Sequence, residues 1–237
     1  MTELSTLKKQ VCNSIDKNRD MLLSISHEIH SNPELAFEEF KASKLLSDES
    51  EKVGMKVVRE AYGLETAYAS DFGNDGPRVA ILSEYDALPG IGHSCGHNII
   101  ATTGFGAAAA LLEVKDSLPG SIRYLGTPAE ERGGGKEFMA QEGAFEDVSA
   151  AMMVHPAGVD LSTMPSICVS EVQVTYKGRS AHASAIPHMG INALDALVTA
   201  YQAIAQLRQH IKQTERIHGI FEETGFAPNI VPEVASG

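Results

Sequence analysis

The chain has 237 residues, with 19 Lys and Arg against 31 Asp and Glu, a net charge of −12, and 43% hydrophobic and 21% charged residues. That is the composition of a globular protein, with room for one large domain, or one and part of a second, at about 150 residues per domain. The acidic balance, without any dense Lys/Arg cluster, excludes a nucleic-acid binder that must neutralise a row of phosphates. Met1 to Ser14 is polar, carries Lys8 and Lys9, and lacks the apolar core and small-residue cleavage site of a secretory signal. Cys12, Cys95 and Cys168 are odd in number and far apart, a poor disulfide framework, so a cytoplasmic location is expected. The uncharged stretch Asn98 to Leu112 is shorter than the ~20 residues of a membrane span and reads as a buried helix of small residues.

In chain order, residues 4–30 and 38–53 read as helices divided by Ser31-Asn32-Pro33, since proline disfavours helix in the residue before it. Val57-Val58, Thr66 to Ser70, Arg78 to Ser83, Ser121 to Leu125 and Ala150 to Val154 read as strands, and 97–114 and 135–142 as helices. The layout is α/β with a largely buried sheet. After Pro165 the texture changes. Ile167 to Val169 and Val172 to Tyr176 form a strand, followed by Gly178 and a long amphipathic helix. Its apolar face is Ile191, Leu194, Leu197, Val198, Tyr201, Ile204 and Ile211. Arg216 to Phe221 and Asn229 to Val234 read as two more strands. Two domains are therefore expected, 1–165 and 166–237, the second an α+β unit.

Three short patterns imitate known devices. His27-Glu28-Ile29-His30 has histidines three apart, whereas a zinc-protease helix needs them four apart to face one metal, so this is a helix end before a proline turn. Gly104-Phe105-Gly106-Ala107-Ala108-Ala109 lies inside a helical pattern, not at a strand-to-helix turn, and reads as close helix packing. Gly133-Gly134-Gly135-Lys136 lacks the spacing and the Ser or Thr of a phosphate loop and reads as a flexible turn beside something functional.

Ligand-type residues concentrate just past the ends of predicted strands, where α/β sheets place their sites: Glu84-Tyr85-Asp86, His93-Ser94-Cys95-Gly96-His97, Glu130-Glu131 and His155. Cys95, His97, Glu131 and His155 offer thiolate, imidazole and carboxylate to a zinc-type divalent metal, drawn from separate segments as in catalytic sites. Adjacent Glu130 and Glu131 suit a division in which one carboxylate binds metal and the other takes a proton from water. Cys95 at the opening of a helix is expected to favour thiolate. That leaves a second chemistry open, a Cys95 nucleophile served by His93 or His97, although it leaves the paired glutamates unexplained. A lone histidine at a strand end is ordinarily structural; the four segments together carry the reading.

The blocks Glu84 to Asn98 and Thr127 to Lys136 resemble the amidohydrolase branch of metallopeptidase family M20, which includes aminoacylases, carboxypeptidase G and indole-acetyl-amino-acid hydrolases. The uninterrupted Tyr85-to-His93 block and Gly133-Gly134-Gly135-Lys136 are most similar to aminoacylase-like dipeptidases and p-aminobenzoyl-glutamate hydrolases. His30 to Glu39 resembles the family's opening segment, and Gly178 to Ser184 the start of its lid.

The resemblance implies a dinuclear metallohydrolase catalytic domain with an inserted, ferredoxin-like lid that forms a homodimer, and two divalent ions, zinc or manganese. Cys95, His97, Glu131 and His155 would be ligands, Cys95 near the bridge between the ions. Glu130 would be the general base, and Asp86 would hold a ligand in orientation. His182 would stabilise the oxyanion in a partner's site, and Asn229 would lie near the substrate's carboxylate. A further ligand histidine is implied that nothing in 1–237 matches. Amide hydrolysis of N-acyl amino acids, dipeptides or p-aminobenzoyl-glutamate is expected, and the alternative is a non-catalytic fragment that binds metal or partner chains.

Overall fold

The helix expected over 4–30 breaks at Asn18 into α1 (Glu3–Lys17) and α2 (Arg19–Ser31). Asn18 has φ −95° and ψ 11°, outside helical values, while its N–H still donates to the Ser14 carbonyl at 3.0 Å and its side-chain amide joins that acceptor at 2.9 Å. Helix α3 follows at Phe40–Lys52. The computed structural model describes residues 3–163 and 168–237, so Ile167 and the expected 165/166 boundary lie outside the described residues. The chain divides into two units, Met1–Ser162 and Thr163–Gly237.

The first unit holds a five-stranded sheet of β1 (Val58–Arg59), β2 (Tyr68–Gly73), β3 (Arg78–Ser83), β4 (Ser121–Gly126) and β5 (Val148–Met152), in the order β1-β2-β4-β3-β5. β1–β2 and β2–β4 pair antiparallel, whereas β3 runs parallel to both β4 and β5. Helix α4 (His97–Leu112) makes the crossover from β3 to β4, and α5 (Gly135–Gln141) the one from β4 to β5. Three parallel strands therefore end at the same edge, and the segments after Ser83, Gly126 and Met152 leave from there.

Small residues let α4 lie hard against its neighbours. A Cβ at Gly104 would stand 2.3 Å from Ser83 Oγ and 2.7 Å from the Leu82 carbonyl oxygen, and one at Gly106 would stand 3.2 Å from Leu22 Cδ2. The Gly104-to-Ala109 tract is thus a packing surface between β3 on one side and α1 and α2 on the other. Beneath it, Tyr68, Tyr85 and Tyr124 are wholly buried and their hydroxyls are paired. Tyr68 and Tyr124 hydroxyls lie 2.8 Å apart, Tyr124 meets Ser83 Oγ at 3.1 Å, and Tyr85 donates to the Thr66 carbonyl at 2.6 Å.

In the second unit, β6 (Thr175–Lys177) and β7 (Val234–Ser236) pair antiparallel under α6 (Ala193–Leu207), with Ala193, Leu197 and Ala235 as the core. Asn192 caps α6 by accepting from the Leu194 and Asp195 N–H groups at 2.9 and 3.2 Å. Three expectations need correction. Residues 216–221 form no strand: Ile217, Ile220 and Phe221 do not alternate, and pairing begins only with the isolated Glu223–Ser236 bridge. Pro228-Asn229 makes a turn, which delays the final strand to Val234. The strand expected through 172–176 starts only at Thr175. A strand exists only where a partner takes its backbone groups, and apolar content alone did not supply one.

Gly104→Val should lower the stability of the first unit by about 2 kcal/mol, because the added carbons meet backbone that cannot yield. The urea midpoint, followed by near-ultraviolet circular dichroism of the buried tyrosines, measures this; an unchanged midpoint would mean that α4 can lift off β3.

Candidate metal centre

The common edge of β3, β4 and β5 gathers every ligand-type residue of the first unit that the sequence singled out for a metal site. His97 opens α4 and is wholly buried; its Nδ1–H donates to Asp86 Oδ1 at 2.9 Å. In the neutral ring that bond leaves Nε2 as a bare lone pair. Facing it are Glu131 Oε1 at 3.5 Å, Glu84 Oε2 at 3.6 Å and Glu130 Oε2 at 3.9 Å. Beside them, Cys95 Sγ lies 3.9 Å from His155 Nε2, and the His155 Nδ1–H donates to the Pro156 carbonyl at 2.7 Å, so this imidazole also turns its lone pair inward.

His97 Nε2, Glu84 Oε2 and Glu131 Oε1 are buried with no hydrogen-bond partner. Buried polar atoms are almost always paired, so two carboxylate oxygens facing one ring nitrogen with no donor between them suit a cation there; among the described residues, Cys95–His97–His155 and Glu84–His97–Glu130 are the groups close enough to share an ion. The 3.5 and 3.6 Å separations from His97 Nε2 fit that too: ligands about 2.1 Å from a tetrahedral ion stand about 3.4 Å apart, longer than a hydrogen bond. The donor set of thiol, two imidazoles and carboxylates fits divalent metal of the zinc or manganese type.

Buried acceptors hold these groups in place. Asp86 Oδ2 accepts from the Glu131 N–H at 2.8 Å, so one carboxylate orients both His97 and Glu131. Glu39, wholly buried, accepts from the Ala129 N–H at 2.8 Å and the Phe37 N–H at 3.0 Å on Oε1, and from the Thr66 hydroxyl at 2.9 Å on Oε2. Ala129 has φ +58°, a left-handed conformation that a non-glycine residue keeps only under such constraint, and it directly precedes Glu130. Gly96 has φ +85°, and a Cβ there would stand 2.8 Å from Pro156 Cγ, so the glycine lets the Cys95–His97 turn meet the His155 segment.

Sequence reasoning gave no role to Glu39 or Lys136, and left Glu84 as a bystander to Asp86. A lone glutamate before α3 carries no signal of a partner 90 residues away. Lys136, whose Nζ pairs with Glu84, lay in the glycine tract set aside as a turn.

Burial would raise the Asp86 carboxyl, but the hydrogen bonds from His97 and the Glu131 N–H prevail and hold it below 3.8. Burial would lower His97, and the Asp86 bond prevails there as well, raising it above 6.5. Glu130 is raised by burial and then by Glu84 nearby. Cys95 corrects an expectation: burial and then the hydrogen bond with Glu131 push its thiol up to about 12. The end of α4 is crowded by carboxylates, which outweigh its dipole; a divalent cation among them would reverse the balance and take the thiolate. A metal-free thiol of this kind is a poor nucleophile, which removes the support for the cysteine reading.

His182 and Asn229 belong to the second unit, where the structure brings them onto adjacent backbone. His182 bridges Ile230, and the Ala183 N–H donates to the Asn229 carbonyl at 2.9 Å. His182 is exposed, and its Nδ1 accepts from the Ser184 N–H at 3.3 Å, so Nε2–H is the outward donor.

Residues 80–232, more than half of the chain, match the family model described as peptidase family M20/M25/M40. The chain belongs to this family. It is 41% identical over 244 residues to the Xaa-Arg dipeptidase of Mus musculus, covering 97% of this chain and 57% of that protein. It is 34% identical over 239 residues to a p-aminobenzoyl-glutamate hydrolase polypeptide of Escherichia coli K12, covering 92% of this chain and 50% of the relative. The chain thus spans 50 to 57% of the length of these curated relatives. Among solved structures, a dinuclear metal binding peptidase of the M20 family from Bacillus subtilis superposes with a TM-score of 0.61 at 22% identity, over 93% of this chain and 63% of that one. An aminobenzoyl-glutamate utilization protein from Klebsiella pneumoniae gives 0.65 at 20% identity, over 96% and 67%. The α/β fold of M20 enzymes is therefore the fold of this chain.

The Asp86–His97 pair sets a pH signature in the metal-free chain. The depressed Asp86 contributes stability above its unfolded value of 3.8 and loses it as pH falls through the folded value. The raised His97 contributes fully below 6.5 and loses its share as pH rises through the folded value. The stability difference between wild type and Asp86→Asn, from urea unfolding across pH, should peak between these values and shrink on both sides; a flat difference would contradict the pairing.

Proposed function

We propose that this chain carries the metal centre of an amidohydrolase cleaving the amide bond between an acyl or aminoacyl group and an amino acid, as in dipeptides or p-aminobenzoyl-glutamate. Unpartnered Glu84 Oε2 and Glu131 Oε1, each within 3.6 Å of the unpartnered His97 Nε2 and beside the Cys95–His155 pair, carry this reading. The printed activities of the mouse and E. coli relatives support the substrate class. Cys95, His97, Glu131 and His155 would hold two divalent ions, zinc or manganese. When bound, these would polarise the substrate carbonyl and acidify the attacking water.

The chain's own groups then divide the work. Glu130 is 41% exposed at its side chain and has a raised carboxyl, as a base that must both take and return a proton requires. It takes the proton of the attacking water and delivers it to the leaving amine. Asp86 keeps His97 in the Nε2-ligating tautomer and fixes the Glu131 backbone. Residues 1–165 supply this catalytic part, and residues 166–237 the lid through which two copies form a homodimer in the cytoplasm. There the His182 Nε2–H donates to the oxyanion in the partner's site, and Asn229 meets the substrate's carboxylate end. Among the described residues no helix is long and apolar enough to cross a membrane.

Glu130→Gln should leave bound metal near the wild-type amount and reduce turnover of an Xaa-amino acid dipeptide about 100-fold or more. Metal analysis with an amide-hydrolysis assay measures both. Undiminished turnover would overturn the base assignment, and turnover indifferent to chelators would overturn the metal reading.

A further inference from the structure

We propose that Glu84 is itself a metal ligand, additional to Cys95, His97, Glu131 and His155, and that Lys136 is the counter-charge that admits this extra carboxylate to the centre. The inference rests on the metal reading above and deepens it. Glu84 is the first residue past β3 and is 1% exposed. Its two oxygens have different surroundings. Oε1 pairs with Lys136 Nζ, whereas Oε2 has no donor and stands 3.6 Å from the bare Nε2 of His97. An acceptor facing an acceptor inside the protein forfeits about 1–3 kcal/mol of hydration with nothing returned unless a cation lies between them.

Among the described residues, the two groups that could hold an ion, Cys95–His97–His155 and Glu84–His97–Glu130, share only His97. A neutral imidazole nitrogen has one lone pair and serves one ion. The thiol and His155 face each other on one flank, so an ion on the carboxylate flank needs a fixed donor besides Glu131. Glu130 is the part-exposed base, and a base committed to metal could not carry protons. Glu84, buried and held at one oxygen, is the donor suited to stay.

Lys136 reaches Glu84 because of its glycines. Gly134 has φ +70°, and a Cβ at Gly135 would stand 2.0 Å from the Pro128 carbonyl oxygen, so the chain turns tightly and the first turn of α5 comes against the site. The tract that resembled a failed phosphate loop thus delivers one ammonium to one carboxylate. Among Glu84, Asp86, Glu130 and Glu131, Lys136 is the cation paired with a carboxylate side chain. Without it, four negative charges would adjoin two imidazoles.

The full chain, stripped of metal, is titrated with Co²⁺ and followed by calorimetry and by the thiolate-to-cobalt absorption of Cys95. Wild type should bind two ions. Glu84→Gln should weaken one of them by roughly tenfold or more while the thiolate band persists, and Lys136→Met should bind both at least as well as wild type. Wild-type affinity in Glu84→Gln overturns the proposal. So does equal weakening in Glu84→Gln and Lys136→Met, which would make the pair structural only. Should Glu84→Gln not fold, anomalous scattering from Mn²⁺-loaded wild-type crystals decides. A peak within about 2.2 Å of a Glu84 oxygen supports ligation, and one clearly farther away overturns it. A wild-type chain that binds no ion would instead sink the underlying metal reading.

Discussion

The Asp86 carboxylate accepts from the His97 Nδ1–H at 2.9 Å and from the Glu131 N–H at 2.8 Å, and so joins three segments that meet nowhere else in sequence: the turn after β3, the start of α4 and the loop after β4. Both bonds depend on Asp86 remaining ionised in a site where burial alone would protonate it. The tautomer of His97 follows from that bond, as does the direction of its free lone pair. With Asp86 neutral or absent, His97 could protonate either nitrogen and the Glu131 loop would lose its anchor, so the geometry of these two donors rests on this acceptor.

The centre is built by concentrating acceptors beyond what hydrogen bonding can satisfy. Glu39 and Asp86 spend their oxygens on backbone and hydroxyl donors and act as structural anchors. Glu84, Glu131 and His97 keep an atom unpaired, and the two carboxylate oxygens face the His97 nitrogen. Residues of the same type thus divide into anchors and donors by whether each oxygen has found an N–H or O–H. Left-handed backbone occurs at the same place, in Ala129 before the glutamate pair and Gly96 between Cys95 and His97, as it also does at Glu60 and Tyr62 elsewhere in the first unit. Strain of this kind persists only where surrounding bonds over-determine it, and the Glu39 carboxylate and the Pro156 contact supply that constraint.

Much of this was legible beforehand. Arg78 to Ser83 reads as a strand and is one with the same bounds, and 97–114 reads as the helix that α4 largely is, because both are short apolar runs with clear punctuation. Cys95, His97, Glu131 and His155 were visible as ligand types past strand ends, and they do converge. What failed had a common cause. The break at Asn18 is a change of backbone angles at one residue inside an unbroken helical pattern, and the missing strand at 216–221 comes from the lack of a pairing partner. The thiol of Cys95 defied the expectation from its helix end because burial, and then carboxylates that arrive from Glu130 and Glu131 downstream and Glu84 upstream, are set by tertiary packing and not by the local sequence.

By itself the sequence determined the inventory: which residues can bind metal or carry a proton, which runs become strands of a buried sheet, and which blocks mark the family. Those properties depend on residue type and short-range periodicity, which a linear chain displays directly. Tertiary structure decided the roles. That Glu39 holds Ala129, that Asp86 serves two segments, that Lys136 reaches Glu84 and that three buried atoms lack partners are facts about atoms brought within 4 Å from distant positions. Electrostatics and hydrogen bonding act over such distances and take no account of separation along the chain. The function of each carboxylate therefore appears only once the three parallel strands have brought their ends to one edge.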